Sequence, residues 1–151
     1  MNPHTVPPVS EFRHSIDLQI RFNDVDVLGH VNNTVYMSFY DTGKARFFEH
    51  VHERIIEWDK VETVIANVDC CFIHPIYFND EVAVYTKCTG IYDRSFKVLQ
   101  VIASKKDGTV KSACETVMVC FDPEKRDSMP MPDHWRAALE KSMAEGAAPP
   151  V

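Results

Sequence analysis

The chain has 151 residues, 45% of them hydrophobic and 25% charged. That is the balance of an ordinary soluble globular protein with enough chain for one domain and a real core. A formal net charge of -6 argues against nucleic acid as the main partner, because phosphate binding needs a basic surface; an anionic small ligand needs only a local basic patch.

Residues 1–11 read as a flexible arm. The stretch Met1–Phe12 holds three prolines and no apolar run, so it is not a signal peptide. No stretch approaches the length of a membrane span, and a cytoplasmic location is expected. From Ile16 the pattern alternates, with Ile16, Leu18, Ile20 and Phe22 on one side and Asp17, Gln19 and Arg21 on the other. This predicts a half-buried strand. An Asp-rich turn follows and the period changes: Val35, Tyr36, Phe39, Tyr40, Gly43, Phe47 and Val51 recur at the spacing of a one-sided helix. Asn32 or Asn33 is a good N-cap for it. Gly43 on the apolar side weakens the helix by about 1 kcal/mol but permits close approach to a sheet.

Strand patterns then return. Val64, Ala66, Val68, Cys70 and Phe72 alternate up to Pro75, and Glu81–Thr89 and Ser95–Ala103 form two further runs. Lys106-Asp107-Gly108 is a hairpin signal, and Val110–Phe121 makes the last strand. Met131-Pro132-Asp133 opens a short amphipathic helix through Trp135, Leu139 and Met143. The expected domain is therefore 12–146, with 147–151 a flexible tail. One strand, one long helix and four more strands predict an α+β fold, an antiparallel five-stranded sheet wrapped around one helix. Such a sheet has an open edge, and dimerisation is a common remedy.

Cys70, Cys71, Cys88, Cys114 and Cys120 form no C-x-x-C pair and are odd in number, so reduced thiols are expected rather than a disulfide set or a zinc site. His50 and His52, flanked by Glu49 and Glu53, do not share a helix face, and adjacent Cys70 and Cys71 point to opposite sides of a strand. No metal is expected.

The stretch that carries chemistry runs from Asp24 to Asn33. It sets two carboxylates, Asp24 and Asp26, at a strand end, then a Gly29 turn and His30, then Asn32-Asn33 at a helix start. A carboxylate beside a helix N-terminus supplies a base and a place for a developing oxyanion. That pairing points to hydrolysis of an activated acyl group. Here the sequence resembles the hotdog-fold acyl-CoA thioesterases of the 4-hydroxybenzoyl-CoA thioesterase type. The matching residues are Arg21-Phe22-Asn23-Asp24-Val25-Asp26-Val27-Leu28-Gly29-His30-Val31-Asn32-Asn33, Tyr36, Ala45-Arg46, and His74-Pro75-Ile76-Tyr77-Phe78-Asn79-Asp80-Glu81.

The resemblance implies an acyl-CoA thioester hydrolase with active sites at the interface of a homodimer or dimer of dimers. It implies no metal and no cofactor beyond the coenzyme A of the substrate. The family's acidic catalytic residue falls on Asp26, as general base or as nucleophile, where the plainer reading is a turn or capping Asp. The N–H that polarises the thioester carbonyl falls at or near Asn33. His30 either meets substrate and water or shapes the turn. Plant acyl-carrier-protein thioesterases carry an Asp, an Asn two positions on and a His two beyond; Asp26 and His30 match, but Leu28 stands in place of that Asn. Gly29, Asn32 and Tyr36 are candidate substrate contacts. Asp69 is either a second carboxylate at the site or a solvated outer-face residue. Arg94, Ser95 and Lys97 are candidates for the coenzyme A phosphates, with Lys105 and Lys106 a rival patch. Two other readings stay open: a hotdog enoyl-CoA hydratase, whose loop pattern is not found here, and a non-catalytic acyl-CoA-binding protein.

Overall fold

The first strand stops sooner than its alternation predicts. In the computed structural model, which describes residues 1–57 and 62–147, β1 spans His14–Leu18. Phe22 lies in a 3-10 turn, Phe22–Asp24, and is 83% exposed. The turn forms because the Asp24 carboxylate accepts the Arg21 N–H at 2.7 Å, a local bond that competes with the strand ladder.

The long helix α1 covers Asn33–His52. Asn32 caps it, its side-chain oxygen accepting the Thr34 N–H at 2.9 Å. At the other end Glu53 takes the left-handed conformation (φ 53°), and the Glu53 and Arg54 N–H groups fold back onto His50 and Glu49 carbonyls, closing the helix without a glycine. Four strands follow: β2 (Thr63–Phe72), β3 (Val82–Ile91), β4 (Ser95–Ser104) and β5 (Val110–Asp122). A two-residue β6 (Asp127–Ser128), not anticipated from sequence, pairs with the end of β5. The second helix, α2, runs Asp133–Ala147, and residues 148–151 of the expected tail lie outside the described residues.

The strand order is β1-β3-β4-β5-β2, antiparallel throughout. The sheet wraps α1 on its inner side, which is the hotdog fold. Tyr36, Phe39 and Tyr40 meet Val82, Val84 and Ile102, while Phe47 and Phe48 meet Phe96, Val98 and Trp135 of α2. Each such buried side chain stabilises by about 1.5–3 kcal/mol. On the outer face, Met1, Val6 and Val9 of the N-terminal arm pack with Phe12, Val101 and Ala113, and the arm carries two short 3-10 turns, Pro3–Thr5 and Val9–Glu11.

Gly43 sits where α1 comes nearest the sheet. A Cβ there would lie 2.8 Å from the Gln100 amide nitrogen and 2.9 Å from both Val84 methyls. The expected close approach is therefore real. Gly43→Ala should destabilise the fold by about 1–3 kcal/mol, despite a helix-propensity gain of about 1 kcal/mol. Urea unfolding checks this: a stabilised variant would show that the helix can lift off at little cost.

The edge strand β2 behaves differently from the others. Its residues Ile65, Val68 and Cys70 pair with Met118, Thr116 and Cys114, all buried, so they share the inner face. Yet Val68 is 42% exposed, and Val64, Ile65 and Phe72 are exposed as well. The helix leaves this edge uncovered, and a bulge between Ile65 and Asn67 bends it.

Candidate active site

The loop before α1 is built as two small turns. In the first, the buried Asp24 carboxylate accepts the Arg21 N–H and two guanidinium contacts at 3.0 and 3.3 Å. Arg21 is thus its partner, while Arg46 pairs with Glu49 at 2.9 Å. The Asn32 N–H donates to the Asp24 carbonyl at 2.8 Å, and the Val31 N–H to the Ile76 carbonyl at 2.8 Å. These bonds fix the loop to the helix start and to the segment after β2.

The second turn carries Asp26. Val25 and Val31 bridge across its neck, the Asp26 N–H donates to the His30 carbonyl at 3.2 Å, and the Gly29 N–H to the Asp26 carbonyl at 3.0 Å. Gly29 has φ +85°, a conformation that glycine adopts without a Cβ penalty. Val27 and Leu28 project into solvent at the tip. The turn aims the Asp26 side chain back at the helix. One carboxylate oxygen accepts the Leu28 N–H at 2.9 Å, and the other accepts the Asn32 side-chain amide at 2.9 Å.

Asn32 therefore does two jobs. Its amide nitrogen holds Asp26, and its amide oxygen accepts the Thr34 N–H at 2.9 Å and hydroxyl at 2.7 Å. Sequence reasoning identified the cap but not the tether to Asp26, six residues earlier. Next along the chain, Asn33 is exposed, and its N–H has no acceptor among the described residues. A half-buried carboxylate thus stands beside a free donor at the positive end of a 20-residue helix.

Of the other candidates, His30 is half-buried, with Nδ1 a long 3.4 Å from the Val31 carbonyl. Tyr36 is buried edge-on against Phe72, with ring centroids 5.0 Å apart, and burial pushes its phenol pKa up. Asp69 lies on the outer face, where its carboxylate meets the N-terminal ammonium of Met1 at 2.6 Å. Arg94 donates to the Ser128 carbonyl at 2.9 Å, and Lys97 pairs with Glu115 at 3.6 Å. Arg94 and Ser95 sit at the end of the sheet where β4 begins, whereas Ile102, near the other end of β4, packs in one cluster with Val31 and Tyr36 at the start of α1. Ten strand residues separate the two ends by roughly 30 Å. Within one protomer, then, Asp26, Gly29, His30, Asn32 and Asn33 come together, and Asp69, Arg94, Ser95 and Lys97 do not join them. Lys105 is tied to Asp17 at 2.8 Å. No three His, Cys, Asp or Glu side chains among the described residues are grouped as a metal would need, and no described helix is long and apolar enough to cross a membrane.

This loop-and-helix arrangement lies inside a recognised sequence family. Residues 20–139 match the thioesterase-like superfamily, and the chain belongs to it. It is 22% identical over 127 residues to the long-chain acyl-CoA thioesterase FadM of Escherichia coli K12, covering 82% of this chain and 95% of that one. Its fold is similar to that of a Thermus thermophilus thioesterase crystallised with coenzyme A and zinc, with a TM-score of 0.78, 24% identity, and coverage of 89% and 97% of the two chains. It is also similar to Slr0204, a 1,4-dihydroxy-2-naphthoyl-CoA thioesterase from Synechocystis, with a TM-score of 0.74, 16% identity, and coverage of 83% and 93%.

Proposed function

We propose that this chain hydrolyses an acyl-CoA thioester to the free acid and coenzyme A. One observation carries the reading: the Asp26 carboxylate is held by Asn32, at 2.9 Å, beside the N–H of Asn33, which has no acceptor among the described residues. The thioester oxygen accepts that N–H, so the charge that builds on it during attack meets a fixed donor and the helix dipole. Asp26 then either takes a proton from the attacking water or attacks the carbonyl carbon itself. Collapse of the tetrahedral intermediate expels the coenzyme A thiolate, which is protonated. In the nucleophilic route, water then cleaves the acyl-enzyme anhydride and regenerates the carboxylate.

The working unit is a homodimer paired through β2, alone or within a dimer of dimers. The exposed apolar side chains of this edge, Val64, Ile65, Val68 and Phe72, support that pairing. Antiparallel pairing of β2 with its own copy sets the Thr63 end of one strand beside the Phe72 end of the other. Because Tyr36 packs on Phe72, the helix start of one subunit then approaches the Thr63 end of its partner. Arg94 and Ser95 lie toward that end, which makes them candidates for the phosphates of a coenzyme A bound across the interface.

The test is thiol release from short, long and aromatic acyl-CoAs by purified protein. Release is expected from at least one of them, and none from any would sink the reading. Asn32→Ser separates capping from tethering, since Ser also caps well. It should change stability by less than about 1 kcal/mol yet slow thiol release about tenfold or more, because Asp26 loses its anchor. A thermal melt beside the rate measurement distinguishes the two effects.

A further inference from the structure

Along the uncovered edge lies a cleft of about 690 Å³ between α1 and β2. That is the size of a small-molecule pocket. Much of its wall is apolar, from Ala45, Phe48, Val64, Ile65 and Met118. Set into it is a charge: Lys44, which is only 6% exposed. A lysine that buried is rare unless well paired. Its one ion-pair partner among the described residues is Asp41, one helical turn back at 3.2 Å, and that carboxylate is itself mostly in water. An ammonium has three donors, so Lys44 reaches this cleft with hydrogen-bonding capacity that the other described residues do not use.

An unfilled donor in a mostly apolar wall selects for a ligand that brings an acceptor, because a purely hydrocarbon occupant would leave it unsatisfied. We propose that Lys44 is a specificity residue. It donates to an oxygen acceptor, a keto group or a carboxylate, carried away from the thioester by the acyl chain that occupies this cleft. The inference rests on the acyl-CoA reading above. Asp26 does not line the cleft of its own subunit. In a dimer paired through β2, the cleft is approached by the helix start of the partner, so the acyl group bonded at one subunit's Asn33 would extend into the other's cleft.

The test uses S-alkyl coenzyme A thioethers of matched chain length, ending in methyl, keto-methyl or carboxylate, which bind but cannot be hydrolysed. Calorimetry on the native protein should give at least tenfold tighter binding for one oxygenated analogue over the methyl-ended one. Which of the two wins identifies the acceptor. Lys44→Met should erase the preference and Lys44→Arg should keep it. Should Lys44→Met fail to fold, Asp41→Asn serves instead: it frees a further donor and should sharpen the preference for the carboxylate. No preference in the native protein, a preference that survives Lys44→Met, or a preference that Asp41→Asn weakens would overturn the proposal. Thiol release from the corresponding thioesters is scored separately. An oxygen preference with no thiol release would support Lys44 and refute the hydrolase reading, whereas thiol release without a preference would do the opposite.

Discussion

Asp26→Asn should lower thiol release from acyl-CoA by a factor of about 10² or more, with the fold intact. The amide can still accept the Leu28 N–H through its oxygen, so the turn keeps one of its two side-chain bonds. At the other position an NH2 group now faces the side-chain NH2 of Asn32. Asn32 has no easy escape by flipping, because its oxygen is engaged by both Thr34 donors. A local loss of about 1 kcal/mol is expected from that mismatch, far too little to unfold a domain of this size. The rate effect is larger because a neutral amide neither takes a proton from water nor attacks a carbonyl as a carboxylate does. Rates and melting curves of the two proteins, measured together, decide the matter. Equal rates would remove Asp26 from the chemistry. After a single turnover in oxygen-labelled water, label in the enzyme's carboxylate would establish the nucleophilic route, since it enters Asp26 only when water opens the anhydride at the Asp26 carbon.

Stability should fall as the pH drops from about 6.5 to about 4, before most carboxylates titrate. His14 and His52 are each held down to a pKa of about 4. For His14 the cause is burial first and His50 second; for His52 it is burial, then the charges of Arg54 and His134. His14 packs against Phe47, and His52 lies edge-on to Trp135 with ring centroids 4.3 Å apart. His14 Nδ1 and His52 Nε2 are buried without a hydrogen-bond partner among the described residues. In the unfolded chain both rings titrate near 6.5, so between the two values the unfolded state binds more protons and acid favours it. Stability is full above about 6.5 and its loss is complete near 4. The rings are only partly buried, and solvent screening trims the linkage to about 2 kcal/mol for the pair. Urea midpoints between pH 7.5 and 4.5 measure the slope. The double variant His14→Gln, His52→Gln should flatten it, whatever constant offset the substitutions add. An unchanged slope would assign the acid sensitivity to other groups.

Much of this molecule is written locally in its sequence. The period change from Ile16 and Leu18 to Val35, Tyr36 and Phe39 marks the passage from strand to helix, because a side chain's direction depends only on backbone geometry. The carboxylate, the Gly29 turn and the paired Asn are equally local, and they bring Asp26 to the helix start. What stays hidden depends on distant neighbours. Phe22 continues the strand pattern perfectly, yet the side chain of Asp24 takes the Arg21 N–H and turns the chain away. Val64, Val68 and Phe72 read as an ordinary buried face, and only the sheet order reveals them as an uncovered edge. Lys44 falls within a run of polar helix residues, and nothing near it in sequence signals that its side chain is buried. Asp69 is ambiguous between two faces in the sequence, and its register opposite Glu115, one residue before the inward-facing pair Cys70 and Cys114, decides where it lies.

Behind the helix, Gln100 is fully buried and donates to the Tyr40 carbonyl at 3.0 Å and to the Thr86 hydroxyl at 3.1 Å. The Tyr40 hydroxyl in turn donates to Ser112 at 2.7 Å. Together these bonds act as a locating pin between an axle and its housing. Sliding α1 by one residue, about 1.5 Å along its axis, would strip every one of them in a dry interior. The Gln100 amide oxygen is left without a partner, a cost of about 1–3 kcal/mol that an apolar residue would avoid but that an apolar contact, being non-directional, could not turn into axial precision. An N–H meant to meet a reacting oxygen has a tolerance of about 0.5 Å. The axial position of α1, and with it that of the Asn33 N–H which the proposed mechanism aims at the thioester oxygen, is thus set two turns away by buried polar groups of helix and sheet.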